Sequence, residues 1–159
     1  MLFSIAIAEK LEAPWMFMNS ASTRRKLTAS FSSTLRDRIK GLRERIHVAG
    51  TTSPQILSSF STPQPECMAV IFQAFLEMRK FKMTYTDADG NCSERKIEPH
   101  HLLLCPPVWY LYAWDSDKGA VRCFRCDRIQ SATIEDASFS ERPYHLFEST
   151  IISMGGATI

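Results

Sequence analysis

The sequence is short of the features that mark fibrous, secreted or membrane-spanning chains. Its 159 residues include only six glycines and eight prolines, which excludes collagen-like and low-complexity classes. Nowhere do about 20 apolar residues follow one another, the length a bilayer-spanning helix needs. The apolar start, residues 1–8, has no basic leader and is broken by Glu9, Lys10 and Glu12, so it reads as neither signal peptide nor membrane span. The five cysteines, at 67, 92, 105, 123 and 126, form an odd set with a single Cys-x-x-Cys, a poor framework for disulfides. A soluble protein of a reducing cytoplasm, without a membrane partner, is the expectation. An excess of one charge is missing as well: 19 basic against 17 acidic residues give +2, too little for a global field that would attract nucleic acid.

What the chain does contain is a core and a strong change of pattern along its length. With 45% hydrophobic and 23% charged residues it is ordinary for one globular domain with an appendage. Leu27, Phe31, Leu35, Ile39, Leu42 and Ile46 recur at helical spacing, so 22–47 reads as a long amphipathic helix or two in line. Residues 23–46 hold eight basic and two acidic side chains, a local charge of +6 that leaves −4 for the rest. Residues 48–65, rich in Ser, Thr and Pro, read as a surface linker anchored by Ile56, Leu57 and Phe60. A helix is expected over 66–80. Then the period shortens to two: 81–86 and 93–97 alternate around Asp87-Ala-Asp-Gly-Asn91, a hairpin signal. Further strands are expected at 101–105, 109–114, 121–126 and 131–135. Short strands joined by tight turns and preceded by helices predict an α+β chain ending in a small antiparallel barrel or sandwich.

Four stretches, Arg95-Lys-Ile-Glu-Pro99, Leu102-Leu-Leu104, Trp109-Tyr-Leu111 and Arg122-Cys-Phe-Arg-Cys-Asp-Arg-Ile129, resemble in order and spacing the WYL domain of bacterial transcriptional regulators. The resemblance runs through 66–137, and 19–62 is similar to the connector that precedes the domain. It implies an N-terminal helical connector followed by a small antiparallel Sm-like β-barrel that senses an effector, with a nucleotide-like or single-stranded nucleic-acid ligand. The boundaries expected from it are 1–62 for connector and linker, 63–138 for a helix plus five-stranded barrel, and 139–159 for a tail that starts a C-terminal extension. Regulators of this kind carry a winged helix-turn-helix upstream that contacts duplex DNA. No room for one is read here, so the chain resembles the middle of such a regulator. Cys126 stands where the family prefers Leu.

Strand alternation sorts the candidate ligand residues. Leu111 and Ala113 form the better core face of 109–114, which leaves Tyr110, Tyr112 and Trp114 on the other. If Phe124 faces the core, Arg125 faces out, with Arg122 near the barrel end and Arg128 just beyond the strand. Tyr110, Arg125 and Arg128 are therefore expected to converge on an external patch, with Arg95, His101 and Arg122 as neighbours. An arginine offers a planar fork of donors to phosphate and a tyrosine stacks on a base. The competing expectation is that these arginines pair with Glu98, Asp127 or Asp136 and only solvate the barrel.

Other motifs are weaker. Cys123 and Cys126 supply two of the four ligands that a structural zinc needs and point to opposite faces of a regular strand, and His100 and His101 likewise diverge, one expected to line the patch and the other to be solvated. No metal or cofactor is expected. No nucleophile elbow, phosphate-binding glycine loop or paired carboxylates stand out, so a binding protein is expected rather than an enzyme. Two alternatives are an interaction module that forms a homodimer without a small ligand, and direct duplex-DNA binding through 22–47. The tail's Tyr144, Phe147 and Met154 have no evident partner in the sequence.

Overall fold

The computed structural model describes residues 40–158. Most of the expected helix at 22–47 therefore lies outside the described residues. Its end is seen: 40–44 are helical and Arg45 is a turn, but Ile46–Val48 form strand β1, not helix. A short helix α1 (Pro54–Leu57) and a longer α2 (Pro65–Glu77) follow. Pro65 at the first helical position sacrifices only an amide that would be unpaired there anyway. Strands β2 (Arg79–Thr86), β3 (Cys92–Cys105), β4 (Val108–Asp115) and β5 (Ala120–Arg125) come next. A 3-10 turn at Cys126–Arg128, strand β6 (Ile129–Ser138), helix α3 (His145–Ser153) and strand β7 (Ala157–Thr158) complete the order. The turns between strands use Gly90 (φ 85°) and Gly119 (φ 58°), a left-handed conformation that glycine adopts without a Cβ penalty.

Strands β2 to β6 form an antiparallel run in the order β5-β4-β3-β2-β6, and β1 joins β3 in parallel with β7 beyond it. The expected closed barrel is not formed: the 3-10 turn carries the chain from β5 to β6, and no ladder joins those two strands. The strands expected at 93–97 and 101–105 are one continuous strand. Its first half pairs β2 and its second half pairs β4, with a register shift between Pro99 and His101. Proline has no amide to donate to a ladder, and the bulge lets the strand pass through Pro99 without ending.

Both faces of the central strands are buried. One holds α2 through Ile71, Ala74 and Phe75 against Phe81, Met83, Ile97, Leu102, Leu111 and Phe124. The other packs Leu103, Val108, Tyr110 and Tyr112 against Phe147 and Ile151 of α3. The tail that lacked a partner in the sequence is thus the lid of a second core. The segment 48–65 is likewise more than a surface linker, because Ile56 and Phe60 pack on that second core, while Leu57 remains 40% exposed.

Candidate functional site

The second core decides the fate of the expected patch. Tyr110 is buried beneath α3 and the 48–65 strap, only 5% exposed, so it cannot stack on a ligand at the surface. Burial also pushes its hydroxyl above the usual tyrosine range. Arg125 is buried too. Its Nε and Nη2 donate to the two carboxylate oxygens of Asp127 at 3.0 and 2.6 Å, and Nη1 and Nη2 donate to Ser59 Oγ and O at 2.9 and 3.1 Å. The Ser61 amide donates to the same carboxylate at 3.2 Å. The Asp127 hydrogen bonds hold the guanidinium firmly protonated. A bidentate pair of this kind leaves no fork for a phosphate; Arg125 pins the strap to the 3-10 turn.

His101 belongs to a seam at the middle of β3. Its Nδ1 lies 3.2 Å from His47 Nε2, and its ring meets Tyr144 edge-on at 5.5 Å. Neither expected role for the adjacent histidines is found, since His100 and His101 are both buried. Desolvation is the leading cause that lowers His47 and His100 to about 4 and His101 to about 3, so all three are neutral near pH 7. Around them Arg45 donates to the carbonyls of Phe75, Pro99 and His100 at 3.2, 2.9 and 2.8 Å. Buried Glu98 accepts from Lys80 at 2.8 Å and Arg142 at 3.1 Å. Burial opposes ionisation of Glu98, but those two cations hold its carboxyl below the usual range. Arg142 also lies 4.0 Å from the centre of the Trp114 ring, a cation–π contact.

Two of the six expected residues do come together. Arg95 and Arg122 line a cleft of about 290 Å³ at the hairpin end of the sheet, with Tyr85, Lys118 and Phe124. Along β2 the residues Phe81, Met83 and Tyr85 share one face; the first two close the core, and Tyr85 reaches the opening. The Tyr85 and Phe124 rings pack edge to face at 5.0 Å and make an aromatic floor. Asp87 and Asp115 also line the cleft, but their oxygens are committed. Asp87 accepts from the Asp89 and Asn91 amides, and Asp115 accepts from the Asp117 and Lys118 amides and pairs with Arg95 at 3.4 Å. Lys118 and Arg122 are exposed, and their side chains make no ion pair or hydrogen bond among the described residues. Arg128 is not among the residues lining this cleft, but its charge lies close enough to help lower the Asp87 carboxyl, behind the larger effect of the Asn91 hydrogen bonds.

Residues 66–134 match the family model for the WYL domain. A WYL domain is present. The cleft residues Tyr85, Arg95, Lys118 and Arg122 all fall inside the matched segment. Among solved structures, the chain is similar to proteasome accessory factor B/C of Arthrobacter aurescens at 25% identity and a TM-score of 0.44. That match covers 59% of this chain and spans 14% of the other.

Sequence reasoning did not place Tyr85 and Lys118 among the candidate residues, although both line this cleft. Tyr85 was legible as the third member of an alternating core face that runs out at a turn. Lys118 carried no signal, since a lysine in an Asp-rich turn is most simply solvated. Cys126 is fully buried while Cys123 lies on the neighbouring strand with its side chain at the surface. Among the described residues no group of three or more His, Cys, Asp or Glu side chains is arranged to hold a metal ion, and no helix there is long and apolar enough to cross a membrane.

Proposed function

We propose that the WYL segment is the sensor module of a bacterial transcriptional regulator and that it binds a nucleotide-like or single-stranded nucleic-acid effector, without chemical turnover, in the cleft of Tyr85, Arg95, Lys118 and Arg122. One observation carries this reading: among the described residues the side chains of Lys118 and Arg122 make no ion pair or hydrogen bond, and they stand beside an aromatic floor. Cations without internal partners attract phosphate oxygens, and a half-exposed tyrosine ring accepts a base face. The site replaces the external Tyr110–Arg125 patch and keeps Arg95 and Arg122 from it, with Arg128 as a nearby charge. Duplex-DNA contact, in this reading, belongs to a helix-turn-helix partner segment or to the basic residues that precede 40.

The test is fluorescence anisotropy with labelled short single-stranded oligonucleotides. Arg122→Ala is expected to weaken binding about tenfold, equivalent to about 1.4 kcal/mol, and to lower the slope of log affinity against log salt by about 0.7 for the lost phosphate contact. Unchanged affinity in both Arg122→Ala and Tyr85→Leu rejects the cleft. A homodimeric interaction module is the second reading, favoured by Leu146 and Ile152, which α3 exposes at 40% and 59%. A concentration-independent dimer in light scattering, without a thermal shift from any nucleotide, supports it instead.

A further inference from the structure

The cleft does not stop at Arg95. On one side β3 pairs β2 from Cys92 onward, whereas its ladder to β4 on the other side begins only at Ile97. Among the described residues, 92–95 therefore form a short strand edge without a ladder partner on that side. Successive residues of a strand face opposite sides, so Ser93 and Arg95 face the aromatic cleft while Glu94 and Lys96 face away from it. On that far face lies a second cleft of about 440 Å³, lined by Lys82, Lys96 and the hydroxyl residues Thr84, Ser131 and Thr133, and Arg95 lines it as well. Glu94 and Asp117 stand at its exposed border. The two clefts thus meet over one open strand edge with Arg95 between them. The guanidinium itself is only partly engaged: Nε donates to Ser93 Oγ at 3.2 Å, Nη1 reaches Asp115 at 3.4 Å, and Nη2 has no hydrogen bond among the described residues.

We propose that the effector is a linear nucleotide of at least two units that crosses this edge, a reading that rests on the nucleotide assignment of the aromatic cleft. One base stacks on Tyr85. The bridging phosphodiester meets Arg95. The second unit lies over Lys82, Lys96 and the three hydroxyls, which suit sugar and phosphate oxygens and offer no second ring to stack on. Lys82 and Lys96 pair with Glu135 at 3.4 and 3.0 Å, but with 69% and 41% of their side chains exposed they exchange that partner for a phosphate at little cost. An extended acidic peptide would use the same edge through backbone hydrogen bonds. An edge of four residues supplies few of these, and the aromatic floor favours a base.

Titration of the full chain with uridine 5′-monophosphate, uridine 5′-diphosphate and 5′-phosphorylated diuridylate separates the outcomes, because the second and third carry equal charge. The dinucleotide is expected to bind about tenfold tighter than either mononucleotide. Lys82→Ala with Lys96→Ala is expected to bring the dinucleotide down to the mononucleotide's affinity, with the circular dichroism spectrum as the check on folding. If the mononucleotides bind and the dinucleotide binds no tighter than the diphosphate, the crossing is wrong and the aromatic cleft stands. If no nucleotide binds, both readings fall. Binding of an Asp-rich decapeptide in the absence of nucleotide binding overturns both in favour of a peptide.

Discussion

Arg122 and Arg125 lie three residues apart on one strand and do opposite things. Arg125 is enclosed, with its guanidinium divided between Asp127 and Ser59, while Arg122 stands exposed in a cleft, its side chain without an ion pair or hydrogen bond among the described residues. The same contrast separates two stretches of β3. Around Glu98–His101 the charged and polar side chains are buried and largely paired, joining the segment before the domain, through Arg45 and His47, to the segment after it, through Arg142 and Tyr144. Around Ser93–Arg95, a few residues away, the strand edge has no ladder partner among the described residues, and the nearby side chains of Lys118 and Arg122 make no ion pair or hydrogen bond there. A buried ion pair fixes a conformation because neither charge tolerates the loss of the other; an unpaired surface cation adds little to stability and is available to a ligand.

The largest way to break this contrast is Asp127→Ala, which strands the Arg125 guanidinium. A loss of about 3–5 kcal/mol is expected, read as a lower urea midpoint and as faster amide exchange in 58–61. Arg122→Ala should leave the urea midpoint within about 0.5 kcal/mol of the parent. Equal effects of the two substitutions would erase the distinction.

Acid should act on the seam and spare the cleft. In the folded chain the buried histidines are held neutral, with values of about 4, 4 and 3 for His47, His100 and His101 against an ordinary 6.5. Between pH 6.5 and about 4 the unfolded chain binds more protons, so the stability these groups contribute is intact above pH 6.5 and declines as pH falls through that window. The loss is expected to be on the order of a few kcal/mol per histidine. His101→Gln should flatten the dependence of the urea midpoint on pH, whereas Arg122→Ala should leave its slope untouched.

Smaller effects sharpen the cleft. Tyr85→Leu keeps apolar bulk against Phe124 but removes the stacking face, and should weaken an oligonucleotide by about 1–3 kcal/mol in anisotropy. Lys82→Ala by itself removes one largely exposed ion pair and should cost stability less than about 1 kcal/mol, a change near the limit of a denaturation curve.

Much of the secondary structure was legible because local signals were strong. The helix expected over 66–80 appears as Pro65–Glu77, and the Asp87–Asn91 turn joins β2 to β3. The strands expected at 93–97 and 101–105 are one bulged strand, since the missing amide of Pro99 is absorbed by one register shift in space. The site was half legible. Alternation placed Tyr110 opposite Leu111, which is correct, but alternation says nothing of what covers the second face. Phe147 and Ile151, more than thirty residues downstream, cover it, and the patch expected there is core.

The sequence by itself determined the helix before β2, the turn chemistry at 87–91 and which residues of β4 and β5 share a face, because these depend on φ/ψ preferences and on periods within a few residues; it did not determine β1, α3 or β7. Tertiary structure alone decided which charges are spent and which remain available. Arg125 found Asp127 and Ser59, His101 found His47, and the Arg122 side chain found no partner among the described residues, because only the docking of α3 and of the 48–65 strap sets which groups lose their water and must find internal partners.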